Sequence, residues 1–282
     1  MVTSFADVTP DIFTSYPLAS TDTEHERLIR QAARLAPYTE RFFQEAGIGP
    51  GQRVLDVGSG VGDVALLAAR LVGATGEVVG VERDARSIAR ARSRVAEAGL
   101  HNVSFLQSDM SHVVSDRTFD AVVGRFILMF LPDPVAALRS LSQLVRPGGV
   151  LAFHEPSYAT FLAASAHLPL WSAGVTLIQK SLQLSGADTE MGFSMYRIFQ
   201  DAGLPPPTMR MEIPLGNDPE FLAWVSDTLR SLLPQIQRLN LSLEIVGDLN
   251  TLPERLQKEA SKSQSVVPWQ AVVGAWARKP DN

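Results

Sequence analysis

The sequence predicts an α/β protein with a mostly parallel sheet that helices cover on both faces. Between Arg53 and His154, five short apolar runs alternate with helix-like segments. Strands separated by single helices need crossover connections and therefore run parallel. A glycine-rich turn, Gly58 to Gly62, joins the first strand to the first helix of this alternation, which is typical of ligand-binding α/β proteins. After Glu155 long apolar, helix-like segments follow, and we interpret them as a helical cap.

Local signals set the expected bounds of the elements in this alternation. One helix begins near Asp63 and ends at Gly73, Asp84 caps the next, and Asp133 followed by Pro134 starts the third. The expected strands are Arg53 to Val57, Glu77 to Glu82, Val103 to Gln107, Phe119 to Val123 and Val150 to His154.

The segments before and after this alternation are predicted to be mainly helical. Proline interrupts two of them, at Pro37 and at Pro234. The expected elements are helices 23–46, 158–184 and 194–202, a helical pair at 219–239, and strands 208–214 and 266–278. We therefore predict a helical cap segment at 1–46, a cofactor-binding core at 47–157, a helical cap insertion at 158–193, and a sheet-completing region at 194–282 with a helical insertion at about 218–262.

The amino-acid composition of the chain excludes several classes of function. The chain of 282 residues carries a net charge of -5, and no block of Lys and Arg stands out, so attraction to nucleic acid or to an anionic membrane is not implied. It has no cysteine, which excludes disulfides and thiol nucleophiles, and its five histidines show no spacing typical of a metal site. Without a signal peptide or spanning segment, we expect a cytoplasmic protein. The sequence is compatible with a homodimer.

The spacing of the glycine turn selects among ligands. The dinucleotide fingerprint G-x-G-x-x-G requires glycine or alanine where this chain has Asp63, three residues after Gly60. The sequence also does not match the phosphate-binding loop motif, because no lysine follows the glycines. A carboxylate at this helix start disfavours a phosphate and tolerates a ligand with an amino group. The turn therefore predicts a cationic, phosphate-free ligand.

The stretch DVGSGVGD, Asp56 to Asp63, resembles the first motif of class I S-adenosylmethionine-dependent methyltransferases, which read roughly [DE]-x-G-x-G-x-G. The resemblance is to small-molecule enzymes of the ubiquinone/menaquinone biosynthesis type. It implies a Rossmann-like, seven-stranded, mostly parallel sheet with helices on both faces and a helical cap. It also implies that Asp56, Gly58 and Gly60 line the site for the methionine end of S-adenosyl-L-methionine.

Two further strand ends agree with this resemblance. Glu82 ends the second strand, and a carboxylate there can accept hydrogen bonds from both hydroxyls of a ribose. We expect its neighbour Arg83 at the same site. Asp109 follows the third strand and resembles the residue that meets the adenine amino group in this family, while Met110 would pack on the ring.

Three other side chains are candidates for the cofactor site. Arg125 follows the fourth strand, in the slot where related enzymes face cofactor and substrate; facing a neighbouring acid, or solvent, is the alternative. The segment Glu24 to Gln31 resembles a helix that folds over the cofactor in related enzymes, and Tyr16 precedes it. On that helix, Gln31 could reach the methionine carboxylate; an amphipathic surface helix is the alternative.

Two neighbours at the end of the fifth strand are the catalytic candidates. His154 could act as a general base near neutral pH, and Glu155 could orient it or a substrate amine. The alternative is that His154 points into a helix layer and Glu155 only turns the chain.

The predicted function is in-line methyl transfer to O, N or C of a small, partly apolar metabolite. Nucleic acid is not the expected substrate, because the fourth strand is followed by G-R-F-I and not by an N-P-P-Y-type tetrapeptide. Two alternatives stay open: an enzyme that retains the cofactor while it catalyses a cyclisation or rearrangement, and a non-catalytic protein that binds S-adenosylmethionine. An NAD-dependent dehydrogenase is the weakest rival.

Overall fold

A computed structural model describes residues 2–4 and 21–281 of the chain. The strands are β1 Val2–Ser4, β2 Arg53–Val57, β3 Glu77–Glu82, β4 Val103–Gln107, β5 Val113–Ser115, β6 Phe119–Arg125, β7 Val145–Ser157, β8 Thr208–Glu212, β9 Leu215–Gly216, β10 Val267–Pro268 and β11 Ala271–Arg278. The helices are α1 Asp22–Glu45, α2 Asp63–Val72, α3 Ala85–Glu97, α4 Pro134–Leu144, α5 Tyr158–Ala164, α6 Pro169–Leu184, α7 Met191–Asp201, α8 Pro219–Arg238 and α9 Leu252–Ser263.

Seven strands form the central sheet in the order β4-β3-β2-β6-β7-β11-β8. Strands β2, β3, β4, β6 and β7 run parallel, and β11 pairs antiparallel with both β7 and β8. The predicted Rossmann-like, mostly parallel, seven-stranded sheet is confirmed. Strand order reverses between β2 and β6, and open α/β sheets bind ligands at the carboxyl ends of the strands beside such a point.

Local capping explains why the helices of the core begin where they do. The side chains of Asp84 and Asp133 each accept a hydrogen bond from a backbone amide in the first turn of α3 and of α4. Pro134 occupies the first turn of α4, where a missing amide costs nothing. Gly73 follows α2 with a φ of 67°. These short-range signals lie in the sequence, so the expected helix starts and ends agree with the structure to within a few residues.

Prolines 37 and 234 interrupt neither helix, which corrects the sequence-based expectation. Both lie inside a continuous helix, α1 and α8 respectively. A proline inside a helix costs about 3 kcal/mol. Each of these helices buries large side chains on both sides of the proline, such as Leu35 and Phe42 in α1 and Leu229 and Ile236 in α8. Burial of that apolar surface offsets the cost.

Other elements also differ from their expected bounds. The helix expected at 158–184 is two helices, α5 and α6, because Pro169 starts the second. The final strand is divided into β10 and β11, which pair with different strands. Helix α9 was not expected as a separate element; it lies in the region for which a helical insertion was predicted. No helix in the described ranges is long and apolar enough to cross a membrane.

The carboxyl-terminal half of α1 lies directly against the sheet. A Cβ atom added to Gly274 of β11 would come within 2.5 Å of Cδ2 of the buried Phe42. The Phe42 ring also lies 5.0 Å from the ring of His154 and 5.6 Å from that of Trp276, centroid to centroid. Gly274 therefore sets how closely α1 approaches the sheet, and so where the rest of the helix lies.

We expect Gly274→Ala to destabilise the fold, because the added methyl group overlaps the Phe42 ring. Overpacking of this kind costs about 1–3 kcal/mol, measured as the free energy of unfolding in urea. Gly49→Ala is the matched control, since no atom lies within 4 Å of the added Cβ there. Equal unfolding midpoints for the two variants would contradict the proposed close contact.

Candidate active site

A cavity of about 660 Å³ lies at the carboxyl ends of the parallel strands, between the sheet and helices α1, α5 and α8. Its volume falls within the range of small-molecule sites, about 300–1,000 Å³. One end is built from the turns that follow β2, β3 and β4. The other end is built from the cap and from the loop after β6. We refer to them below as the turn end and the cap end.

The glycine turn after β2 supplies bare backbone to the turn end. Gly58, Gly60 and Gly62 have φ values of 67°, 49° and 85°, which only glycine adopts readily. A Cβ at Gly58 would lie 2.5 Å from Cδ1 of Ile127, whereas a Cβ at Gly60 would have no atom within 4 Å. Gly58 is therefore needed for packing, and the backbone at Gly60 borders open space that a ligand can occupy.

Glu82 fixes this turn to the end of β3. Its carboxylate accepts hydrogen bonds from the backbone amides of Gly60 at 2.9 Å, Arg83 at 2.7 Å and Asp84 at 3.0 Å. Oε1 accepts two of these bonds and Oε2 one, so Oε2 keeps acceptor capacity toward the cavity that Glu82 lines. A carboxylate in this position can accept from a ligand hydroxyl.

Asp109 and Met110 border the cavity after β4. The Asp109 carboxylate accepts from the amide of Ser111 at 2.8 Å and from its hydroxyl at 2.6 Å. The Arg83 guanidinium lies 3.9 Å from the other carboxylate oxygen. Met110 is buried in the wall beside them. This corner offers a flat ligand an apolar contact next to a carboxylate.

Two acids, Asp56 and Asp63, and Arg125 lie close together beside the glycine turn. Burial raises the pKa of Asp56 well above its ordinary value, although the charge of Arg125 opposes this shift. One Asp56 carboxylate oxygen has no hydrogen-bond partner among the described residues. Burial also lowers the pKa of Arg125, while Asp63 and Asp56 raise it, and its guanidinium donates to Thr39 Oγ1 at 3.1 Å. Arg125 therefore lies near two acids and also lines the cavity, and its role toward a ligand stays a prediction.

Helix α1 forms one wall of the cavity, and its side chains there are joined by hydrogen bonds. Arg27 donates to both carboxylate oxygens of Glu24, at 2.7 and 2.6 Å, and to Oε1 of Gln31 at 2.6 Å. The indole nitrogen of Trp224, on α8, donates to the same Gln31 oxygen at 3.1 Å. Helix α1 thus faces the cavity, and Gln31 fastens it to α8.

The structure brings most of the expected cofactor residues to one cavity. The expected residues that line it are Gly58, Gly60, Glu82, Arg83, Asp109, Met110, Arg125 and Gln31. Asp56 is buried beside the turn and is not part of the lining. Tyr16 lies outside the described residues. The role of each residue stays a prediction.

His154 does not border the cavity, which corrects the expectation of a general base there. Its side chain is 1% exposed, and its ring packs on Phe42. Nδ1 lies 3.4 Å from Thr39 Oγ1. Burial, together with the charge of Arg125, lowers the pKa of His154 to about 3, so the imidazole is neutral at physiological pH. The position is that of a core histidine, the alternative stated above.

Glu155 is also buried away from the cavity, and it positions a loop. Its carboxylate accepts from the backbone amides of Ile127 and Leu128, both at 2.9 Å, and of Met129 at 3.3 Å. These amides begin the segment that carries the cap end's Met129, Phe130 and Leu131. The carboxylate touches backbone and no cavity surface, so it is a positioning residue and not the expected orienting partner of a base.

Sequence reasoning missed several groups in the lining. His25 Nε2 lies 3.2 Å from Ser87 Oγ, which donates to Asp84 at 2.7 Å, and this contact joins α1 to α3. Thr228 and Gln270 line the cap end. Helical spacing puts Thr228 on the same face as Trp224, four residues earlier, and that spacing was the available signal. Nothing in the sequence around Gln270 distinguishes it.

Comparison with known proteins agrees with this site. A sequence family described as "Methyltransferase domain" matches residues 48–203, more than half of the chain. The ubiquinone/menaquinone biosynthesis C-methyltransferase UbiE of Cellvibrio japonicus is 36% identical over 123 residues, which cover 42% of this chain and 49% of that protein. Aklanonic acid methyltransferase DauC of a Streptomyces species is 38% identical over 109 residues, covering 38% of this chain and 50% of the relative.

A solved structure extends the likeness across the fold. The crystal structure of the cyclase SpnF has a TM-score of 0.53 and 19% sequence identity, covering 88% of this chain and 81% of that chain. The α/β fold, the cavity at its strand ends and the family match over residues 48–203 define the class. The chain belongs to the methyltransferase domain family, and the expected membership of the class I S-adenosylmethionine-dependent group is confirmed. It spans about half the length of the curated relatives that it matches.

The protonation of Glu155 gives a testable pH dependence. Burial raises its pKa from an ordinary 4.5 to about 7, so between these pH values the folded protein binds a proton that the unfolded chain has lost. The free energy of unfolding of the wild type should therefore fall with rising pH over this range, by up to about 3 kcal/mol relative to Glu155→Gln, which cannot ionise.

Urea unfolding of both proteins at about pH 5, 6, 7 and 8 measures this difference. The difference in free energy between wild type and Glu155→Gln should change up to about pH 7 and level off above it. Parallel pH curves for the two proteins would rule out the raised pKa.

Proposed function

We propose that this protein is an S-adenosylmethionine-dependent methyltransferase that acts on a small, partly apolar metabolite. One observation carries the proposal: a single cavity joins a turn end with bare glycine backbone and two strand-end carboxylates to a cap end with mostly apolar side chains. A polar nucleoside and an apolar acceptor need this combination of walls in one enclosed space. Family membership supports the same activity.

The residues at the turn end fit the cofactor. Oε2 of Glu82 has acceptor capacity left for a ribose hydroxyl, and the backbone at Gly60 borders open space. Asp109 and Met110 offer an adenine ring a hydrogen-bond acceptor and an apolar contact. When bound, S-adenosylmethionine supplies a methyl group on a positively charged sulfur, and that sulfur is a good leaving group.

Charged groups of both signs lie near the turn. Three carboxyl groups lie there, on Asp56, Asp63 and Glu82, against the guanidinium groups of Arg94 and Arg125. Arg94 is paired with Asp63 at 2.7 Å, and Arg125 is bonded to Thr39. Arg94 is thus paired with a carboxylate, whereas Arg125, bonded to a neutral hydroxyl, and the Glu82 carboxylate both line the cavity.

Several acids and bases of the lining are paired within the protein. Glu24 binds Arg27, Asp63 binds Arg94, and His25 and Asp84 both bind Ser87. These paired groups supply alignment and exclusion of water. An acceptor that is already nucleophilic, or that ionises readily, suits such a site, whether the methyl group goes to O, N or C.

We further infer that the protein works in the cytoplasm and does not act on nucleic acid. The net charge of -5 and the lack of a basic block support this inference. A homodimer is compatible with it.

Binding of S-adenosylhomocysteine tests the cofactor part of the proposal. Glu82→Gln should weaken it by about 10- to 100-fold, because a neutral amide replaces the charged acceptor and also disturbs the amides of the turn. Calorimetric titration measures the dissociation constant. Glu97→Gln, on the exposed end of α3, is the matched control and should bind as the wild type does. Wild-type protein that binds NAD and not S-adenosylhomocysteine would overturn the proposal.

Label transfer tests the reaction. Protein incubated with methyl-labelled S-adenosylmethionine and a panel of small hydroxy-, amino- and enol-bearing compounds should move the label into an organic product and release an equal amount of S-adenosylhomocysteine. The acceptor should show turnover only with the labelled cofactor present. An acceptor that is converted while the label stays on the cofactor would instead indicate a cyclisation or rearrangement, an activity of the kind named for the structurally similar SpnF.

A further inference from the structure

Strand β8 is the last strand of the central sheet, and its outer edge pairs with no other described strand. Its one partner in the described part of the chain is β11, which runs antiparallel to it. An edge strand presents a row of backbone N–H and C=O groups that another strand can bind. Pro207 and Pro214 bound this edge, and proline has no N–H group to donate. The edge that is free to pair therefore spans residues 208–213.

One face of β8 is also open. On that side of the sheet α4 packs on β6 and β7, and α7 packs on β7 and β11. A Cβ atom added to Gly192 of α7 would come within 2.6 Å of Cγ2 of Val273 in β11. Met211 of β8 lies opposite Val273 in the strand register, so both side chains point toward the α7 side. Met211 is nevertheless 44% exposed.

Helix α7 makes the surface beside this open face apolar. Because α4 lies on the β6 side of α7, the other flank of α7 borders β8. The exposed surface of α7 carries Phe193 and Tyr196, which are 56% and 47% exposed. Together with Met211, they form an apolar surface at the sheet edge, which we call the β8 corner. Exposed apolar surface of this kind is typical of an interaction site.

The opposite face of β8 carries charges that complement each other. Arg210 and Glu212 flank Met211 in the strand and therefore point to the α1 side. There Arg210 pairs with Glu45, and Glu212 pairs with Arg41. If a two-fold axis passes through Met211, Arg210 of each copy lies opposite Glu212 of the other copy. The strand is therefore complementary to itself, as a two-fold interface requires.

Other registers of two β8 strands lose this match. Side chains that lie opposite each other in an antiparallel pair share a face, so the residue at the axis lies opposite its own copy. With Arg210 at the axis, two like charges are opposed, which is destabilising. With Met209 at the axis, Arg210 lies opposite the uncharged Thr208. Only the register centred on Met211 pairs both charges and brings the two β8 corners together.

We propose that this protein forms a two-fold homodimer through antiparallel pairing of its β8 strands, with Met211 on the axis. The central sheet then continues from one copy into the other, and the two β8 corners cover each other. This interface goes beyond the proposed function and does not depend on it. The described lining of the cavity contains no residue of β8, so each copy keeps its own site.

Disulfide formation between single cysteines tests the register. The chain has no cysteine, so each variant carries one thiol. Opposed Cα atoms in an antiparallel pair lie about 4.5–5.5 Å apart, within the range that a disulfide spans. With oxidised glutathione as the oxidant, Met211→Cys should form a covalent dimer at least about tenfold faster than Met209→Cys, whose two Cα atoms would lie about 13 Å apart. A non-reducing gel measures both rates.

Leu184→Cys is the matched control for random collision, because Leu184 is 54% exposed at the end of α6. It should crosslink as slowly as Met209→Cys. Met211→Cys that reacts no faster than this control would overturn the proposed interface. Faster crosslinking of Met209→Cys than of Met211→Cys would overturn the register and with it the charge pairing.

The mass in solution tests the dimer without any crosslink. Light scattering on the wild type at about 10 µM should give twice the mass of one chain. Met211→Lys should give the mass of one chain, because two ammonium groups would meet at the axis. Ile245→Lys is the control at another exposed apolar residue, 60% exposed, and should stay dimeric. A monomeric wild type would overturn the proposal, and so would a Met211→Lys variant that stays dimeric.

Discussion

The site depends on one buried carboxylate that binds backbone. Glu155 accepts three consecutive amides at the start of the loop after β6 and so fixes Ile127, which lies against the glycine turn at Gly58. The carbonyl of Met129 in the same loop accepts the amide of Asp188, at 2.8 Å, just before α7. The glycine turn and the cap are therefore aligned through one side chain that accepts three backbone hydrogen bonds.

The two ends of the cavity are built by different physical means. Backbone groups and strand-end carboxylates form the turn end, and their positions follow from the sheet itself. Side chains from separate helices form the cap end, and their positions depend on how those helices pack. Gln31 lies between the two systems, because it accepts from Arg27 on its own helix and from Trp224 on α8. Changes at the cap end can therefore leave the backbone and carboxylates of the turn end in place.

The sequence predicted what short-range chemistry determines. Caps such as Asp133, the alternation of strands and helices, and the spacing of the glycine turn are local, and they located the sheet and most of the expected cofactor residues. Burial is not local. His154 and Glu155 end a strand at the expected edge, but the packing of α1 and the loop after β6 encloses them. Gln270 likewise reaches the cavity only because β11 returns to the sheet beside β7.

Pro37 marks a gap in the backbone hydrogen bonds of α1. It has no amide to donate to the carbonyl of Ala33, so α1 lacks a backbone bond at the boundary between its two halves. The second half is anchored by Phe42, whereas the first half is held by buried residues such as Leu35, by the bond from Trp224 to Gln31, and by exposed pairs such as Arg30 with Asp227 at 3.0 Å. Such pairs are weak and are screened by salt. The ladder of backbone bonds along α1 is therefore interrupted between the half that packs on the sheet and the half that lines the cavity.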